Sequence, residues 1–346
     1  MTVVVTGATG HIGNTLVREL VRRGERVRAV TYGDMEHVLD GLPVERVRAD
    51  TRDGAAVHAA LAGARRVFHL AAVISIDAQG DRHVRAVNVE GTCNVVAACL
   101  AHGVERLVHT SSVHALDAAR ARLPIDETCP LVVSPDALPY DLSKADGERA
   151  VLEGVTRGLN AVIVNPSAVI GPHDYVPSLT AQGILSMMRS PVAVRGSYDW
   201  VDVRDVASGM LAAAEKGRTG ERYLLSGQSM SIRGIAELLV EEGGRRPLLT
   251  LPTWLLRPLV PFANALSRLR KRPPLFTAHS LTILDSPSTF THEKASRELG
   301  FSPRPLRESL HDALQFFRAQ GKIPPRGSRT PACVAAPVSA RTHADG

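Results

Sequence analysis

The chain enters an apolar run at once, Val3-Val4-Val5, and passes directly into Thr6-Gly7-Ala8-Thr9-Gly10-His11-Ile12-Gly13, followed by helical spacing from Leu16 to Val21. Together these make one demand: a strand, a tight turn and a helix, in that order. Glycines in this setting allow a pyrophosphate to approach the backbone and the helix to pack closely, while the helix N-terminus attracts the phosphate charge. A lone glycine triplet would mark only a turn. Flanked as it is here, it is read as a dinucleotide loop, and Thr6, Gly7, Thr9, Gly10, His11, Ile12 and Gly13 are cofactor-binding candidates.

Further β-rich runs occur at 27–30, 44–47, 67–70, 107–109 and 161–164, separated by helical spacing such as that over 84–100. This alternation predicts an α/β fold, a doubly wound parallel sheet whose ligand lies at the carboxyl ends of the strands. The strand over 161–164 runs into Asn165-Pro166, where proline stops the ladder and turns the chain toward a cleft. We therefore expect a dinucleotide-binding domain over 1–166 and a smaller, interleaved α+β substrate lobe over 167–323, with about 198–218 returning to the first domain. Residues 324–346, rich in Pro, Ala, Ser, Thr and Arg without periodicity, read as a disordered tail.

Composition excludes several classes. Hydrophobic residues make up 44% and charged residues 22%, and no apolar run approaches the about 18 residues that a membrane span needs. The N-terminus lacks the basic flank and cleavage site of a signal peptide, so a cytoplasmic protein is expected. Cys93, Cys99, Cys129 and Cys333 lack metal-ligand spacing and read as free thiols, with no metal. The net charge of +6 is carried by arginines scattered along the chain, which argues against a nucleic-acid partner. The stretch from Trp254 to Lys271 is apolar at its start and basic at its end, but Pro258 and Pro261 interrupt it. We read it as a lid over an apolar pocket, in preference to a membrane contact.

Tyr140 and Lys144 supply the chemistry. On a helix they lie one turn apart on one face, so the ammonium is expected to lower the phenol from about 10 toward the working pH and make it a proton donor or acceptor. At the end of the second strand, Thr31-Tyr32 offers neither the acid that bonds an adenosine ribose nor an Arg for a 2′-phosphate, although Asp34 is close. With no Arg or Lys at 31–36, the cofactor is read as NAD or NADP with a lean to NAD. Arg28 could still curl over. Thr31, Asp50 and Thr51 are added to the cofactor set, Asp50 as a partner for the adenine amine.

These residues, with Ser112 upstream of Tyr140, resemble the extended short-chain dehydrogenase/reductase family over residues 1 to about 322. The motifs are Val67-Phe68-His69-Leu70-Ala71-Ala72, Asn88-Val89-Glu90-Gly91-Thr92, Thr110-Ser111-Ser112, Tyr140 with Lys144, Asn165-Pro166-Ser167 and Val203-Arg204-Asp205-Val206-Ala207, in the family's order. The text is most similar to the branch with dihydroflavonol reductases, 3β-hydroxysteroid dehydrogenases and epimerase/dehydratase-like proteins. The resemblance implies that Tyr140 is the general acid/base and that Lys144 binds the nicotinamide ribose. It implies that Ser112, with Ser111 as runner-up, bonds the reacting oxygen. Leu70, Ala71 and Ala72 would pass beside the cofactor, and Asn165, Pro166 and Ser167 would wall the nicotinamide. It also implies a possible homodimer through the helices of 84–100 and 140–152. Sugar-nucleotide epimerases of this family usually carry Arg-Asp-aromatic where this chain has Tyr198-Asp199-Trp200, so a phosphate clamp is replaced by an aromatic ring.

The expected function is hydride transfer between nicotinamide and a fairly apolar small-molecule ketone or secondary alcohol. A nucleotide-sugar epimerase or dehydratase is the first alternative, and a non-catalytic redox sensor the second. His114, His173 and Asp174 lie near the motifs but are left out of the catalytic set, and Asp126 and Glu127 are read as surface loop acids.

Overall fold

In the computed structural model, which describes residues 2–74, 81–134, 136–261, 281, 284 and 289–325, β1 (Thr2–Thr6) is buried along its whole length. A strand buried on both faces needs apolar cover on each side, and the alternation of side chains supplies it. Val3 and Val5 join the core under α1 (His11–Arg22), whereas Val4 joins the opposite core. The chain continues through β2 (Arg26–Thr31), β3 (Glu45–Arg48), α2 (Gly54–Ala60), β4 (Ala64–His69), α3 (Asp81–Arg85), α4 (Gly91–Ala101) and β5 (Arg106–Thr110). Then come α5 (Pro139–Thr156), β6 (Ala161–Pro166), β7 (Ala168–Ile170), α6 (Leu179–Met187), β8 (Val192–Val194) and β9 (Ser197–Asp202). The remainder is α7 (Val203–Lys216), β10 (Arg222–Leu225), β11 (Gln228–Ser231), α8 (Ile232–Glu241), β12 (Leu249–Leu251), α9 (Thr253–Leu256), α10 (Glu293–Leu299) and α11 (Leu306–Ala319).

The large sheet is parallel throughout, in the order β10-β6-β5-β4-β1-β2-β3. Helices α1, α7 and α10 cover one face, with Leu16, Val17, Leu20, Val206, Met210 and Leu299 against Val108, Val162 and Val164. Helices α2, α4 and α5 cover the other, where Val57, Val95, Cys99 and Val151 meet Val67, Leu107 and Ile163. The doubly wound α/β expectation holds, and six of the seven strands fall on the runs read from sequence. The seventh, β10, comes from far downstream and pairs with β6, Tyr223 opposite Val164.

A smaller sheet, β11-β9-β7, and a two-stranded one, β12-β8, form the second layer of structure. Its core joins Ile170 and Trp200 to Ile184 of α6, Ile235 and Leu239 of α8, and Leu310, Leu314 and Phe317 of α11. The chain's return to the large sheet begins at α7 and ends in β10. The start of the 198–218 span lies instead in β9, which pairs with β7 and β11. Only the start of the stretch read as a lid, up to residue 261, is described. Trp254 is 69% exposed and Leu255 is 42% exposed, while Leu256 and Val260 pack with Leu281. The helix is a single short turn, so only one of its faces can be covered. Phe262 and the basic end of that stretch, Cys333 and the tail from 326 lie outside the described residues. Among the described residues, no helix is long and apolar enough to cross a membrane.

Candidate active site

The glycine loop is built as its spacing demands. Gly7 has φ +66°, and a Cβ there would lie 2.7 Å from the Ala71 nitrogen; a Cβ on Gly13 would lie 2.1 Å from the Gly7 carbonyl oxygen. Both positions exclude any side chain, which brings β1, α1 and the end of β4 into direct contact. Gly10 caps α1 without a side-chain hydrogen bond, and the first turn carries no acid, so its N–H groups and positive dipole end suit a phosphate. Thr6 is turned inward. Its hydroxyl pairs with His69 Nδ1 at 2.7 Å and accepts from the Leu70 and Ala71 amides at 3.2 and 3.3 Å, fixing the strand end beside the loop. His11 is also turned away from the loop, Nε2 lying 3.0 Å from the Pro172 carbonyl; burial lowers its pKa, against the pull of Asp174. Thr9 and Ile12 are half-buried.

At the adenosine end, Thr31 donates to Glu36 Oε1 at 2.8 Å, an acid that sequence spacing did not single out. Asp50 is engaged: Arg52 grips its carboxylate through Nε at 2.9 Å and Nη2 at 2.6 Å, and the same Nη2 reaches the Tyr32 hydroxyl at 3.3 Å. The guanidinium holds the Asp50 pKa below the usual carboxylate range. Arg28 does not curl over; it donates to the Ala60 and Ala62 carbonyls at 2.9 and 2.7 Å. Thr51 is buried against Gly91, where a Cβ would meet its hydroxyl at 2.7 Å. Asn88 holds the segment after β4, bonding Val73 through both amide atoms and donating to Ser143 of α5 at 2.9 Å.

Tyr140, Lys144 and Glu148 recur every four residues on α5 and so share one face. Lys144 is buried and donates to the Thr110 carbonyl at 2.7 Å. Burial lowers it from 10.5 to about 8, with the nearby Glu148 carboxylate pulling back. The fully buried Glu148 is itself held by Arg222 of β10 at 3.0 Å and by the Asn165 amide. Asn165 also donates to the Ser112 carbonyl at 3.0 Å, so one network links Glu148, the end of β6 and the serine. Ser167 is buried beyond Pro166.

The phenol differs from expectation. Burial pushes Tyr140 up to about 12, while hydrogen bonding with Ser112 acts the other way. Desolvation of a phenolate outweighs the help available in this state, in which the Lys144 ammonium is directed at a carbonyl. Ser112 is thus the serine that meets Tyr140. The Ser111 hydroxyl is buried, with no hydrogen-bond partner among the described residues.

Beside this trio stands His114, which sequence reasoning left out. Its ring lies edge-on to Tyr140 at 5.9 Å between centroids, Nε2 is 2.6 Å from the Tyr198 hydroxyl, and Nδ1 is 3.4 Å from Asp141 Oδ1. Burial, with Tyr140, Asp141 and Asp199 nearby, raises the Tyr198 pKa and keeps its phenol protonated. Trp200 packs into the second core instead of lining the site. His173, at φ +67°, gives its carbonyl to Asn14 at 3.1 Å, and Asp174 accepts from the Ser178 amide at 2.9 Å, so both pin a loop against α1. Glu127 is no loose surface acid: it accepts from the Leu224 amide at 2.8 Å.

The family model described as the NAD dependent epimerase/dehydratase family matches residues 3–226. The chain is 39% identical to "Sterol demethylase protein B" of Methylococcus capsulatus over 332 residues, covering 93% of this chain and 100% of that one. It is 31% identical over 354 residues to a 4-hydroxy-2-methyl-3-oxo-4-farnesyl-3,4-dihydroquinoline-1-oxide ketoreductase of Stigmatella aurantiaca, covering 94% and 100%. Among solved structures, that of gox2253 superposes with a TM-score of 0.80 at 33% identity, covering 93% of this chain and 99% of that one. The glycine loop, the Tyr140 and Lys144 face and these likenesses agree: the chain belongs to the NAD-dependent epimerase/dehydratase family and is an oxidoreductase of the extended short-chain type.

Proposed function

We propose that this enzyme transfers hydride between NAD(H) and a carbonyl or secondary alcohol on a fairly apolar small molecule, with Tyr140 as acid/base. What carries the reading is the convergence of Ser112 and Tyr140 at the carboxyl end of β5, with the Lys144 ammonium one turn along α5. The loop from Thr6 to Gly13 holds the dinucleotide phosphates, and Lys144 exchanges the Thr110 carbonyl for a ribose hydroxyl. The bound cofactor supplies the hydride. Ser112 orients the substrate oxygen, and Tyr140 gives it a proton during reduction or takes one during oxidation. The cationic Lys144 favours the phenolate side of that exchange.

Two observations support an apolar substrate. Tyr198 stands where epimerases of the family usually carry a phosphate-gripping Arg, and one hydroxyl cannot replace a two-pronged clamp. The names of two relatives also point to apolar bodies, a sterol and a farnesylated ring ketone. NAD is preferred over NADP because Glu36, bonded to Thr31 at the end of β2, adds negative charge at the adenosine end, and Arg52 is neutralised by Asp50. The test sets UDP and dTDP against steroid-like and aromatic ketones on the NAD(H)-loaded protein. Turnover of a ketone or alcohol with stoichiometric change in NADH is expected. Micromolar nucleotide-diphosphate binding with no such turnover would move the reading to sugar epimerisation.

A further inference from the structure

Asp141, His114 and Tyr198 come from the first turn of α5, the turn after β5 and strand β9, and they meet beside Tyr140. Three separate elements converge on one phenol. The Asp141 carboxylate can only accept, and its Oδ1 is buried with no hydrogen-bond partner among the described residues; at 3.4 Å from His114 Nδ1 it favours the proton on that nitrogen by charge. That leaves His114 Nε2 as a lone-pair acceptor, and the 2.6 Å contact is then a hydrogen bond donated by the Tyr198 hydroxyl. The raised Tyr198 pKa agrees with a phenol that keeps its proton. With its one proton committed to His114, the Tyr198 oxygen offers any ligand only lone pairs. Ser112 supports the arrangement, its hydroxyl accepting from the His114 amide at 3.2 Å, so the histidine backbone is tied to the serine of the reacting trio.

We propose that Asp141 and His114 are positioning residues that hold Tyr198 as a hydrogen-bond acceptor next to Tyr140, and that the preferred substrate therefore carries a second hydroxyl close to its reacting carbon. This rests on the carbonyl and alcohol reading above and deepens it. An acceptor in this place discriminates by charge as well as shape. A neighbouring hydroxyl donates to it, whereas a neighbouring ketone or carboxylate would set lone pair against lone pair and meet the Asp141 charge. Specificity of this kind is strong because a site group left without its partner is costly once the cleft is dry.

The test uses the full-length protein loaded with NADH, to which an alcohol binds as an unreactive dead-end complex, so affinity is read without turnover. Decalol is compared with decalin diols in which the second hydroxyl is moved around the ring system. At least one diol should bind about tenfold more tightly than decalol, the effect of one good hydrogen bond. Tyr198→Phe and His114→Leu should each bring that ratio close to one. His114→Gln, whose amide oxygen can accept in place of Nε2, should keep most of it. The double variant H114L/Y198F should lose no more than Y198F alone, because His114 acts through Tyr198. NADH affinity serves as the check on folding. A ratio near one for every diol in the unmodified protein, or a ratio that survives Tyr198→Phe, overturns the inference while leaving ketone reduction intact. A ratio lost in Y198F but kept in H114L overturns the role of His114. Binding of UDP with binding of neither alcohol overturns both readings.

Discussion

Replacing Lys144 by methionine should make the protein more stable and nearly inactive. The side chain is buried, and among the described residues its ammonium makes one hydrogen bond, to the Thr110 carbonyl. A lysine brought from 10.5 to about 8 keeps its proton at neutral pH at a cost of ~3 kcal/mol. Methionine has a similar shape and no charge; it removes that cost and gives up a hydrogen bond of ~1 kcal/mol, for a net gain of ~2 kcal/mol, or about 2–4 °C in Tm. The sign has a pH signature. Because burial depresses the folded-state pKa, the folded protein sheds this proton first, and the penalty is full below about pH 8 and fades as the pH rises to 10.5. Thermal melts of cofactor-free K144M and unmodified protein from pH 7 to 10.5 should therefore converge. The same variant should bind NADH more weakly and turn over roughly 100-fold or more slowly, having lost the ribose contact and the charge that favours the phenolate. A methionine variant that melts lower at pH 7, or an advantage constant across the window, would show that the ammonium is not under strain.

Tyr140→Phe should leave NADH affinity within a few-fold while lowering turnover by roughly 100-fold or more, since the ring still packs and only the transferable proton is gone; normal turnover would refute the acid/base role. Gly13→Ala should cost ~3 kcal/mol or more and abolish NADH binding, because its Cβ would sit 2.1 Å from the Gly7 oxygen; a melt within a degree of the unmodified protein would refute the close approach. Glu36→Gln should narrow the preference for NADH over NADPH in titrations of dissociation constants, by removing the acid bonded to Thr31. An unmodified protein that favours NADPH tenfold would refute the cofactor reading outright.

What could be read from sequence was what depends on neighbours in the chain. Val3 to Val5 and the glycines of the loop announce their strand and turn locally, and Tyr140 and Lys144 announce their helical face by spacing. His114 gave no such sign, since a histidine after a serine pair acquires meaning only when β9 brings Tyr198 to it across 84 residues. Glu148 was similarly hidden: its partner Arg222 lies on a strand 74 residues on. The phenol's acidity was misjudged because spacing shows the proximity of Lys144 but not the burial that opposes it.

The strand β10 has a consequence for how the protein is made. It pairs with β6, yet the chain must pass through β7, α6, β8, β9 and α7 before supplying it. A nascent chain that has completed the six earlier strands still carries an open edge along Ala161–Pro166, apolar and rich in β-branched residues. Such an edge invites pairing with another chain until the late strand arrives. Holding polypeptides short of residue 222 on the ribosome, or expressing residues 1–166 alone, should therefore yield an aggregating species. The large sheet is therefore complete only after the chain has also supplied β7, β8 and β9.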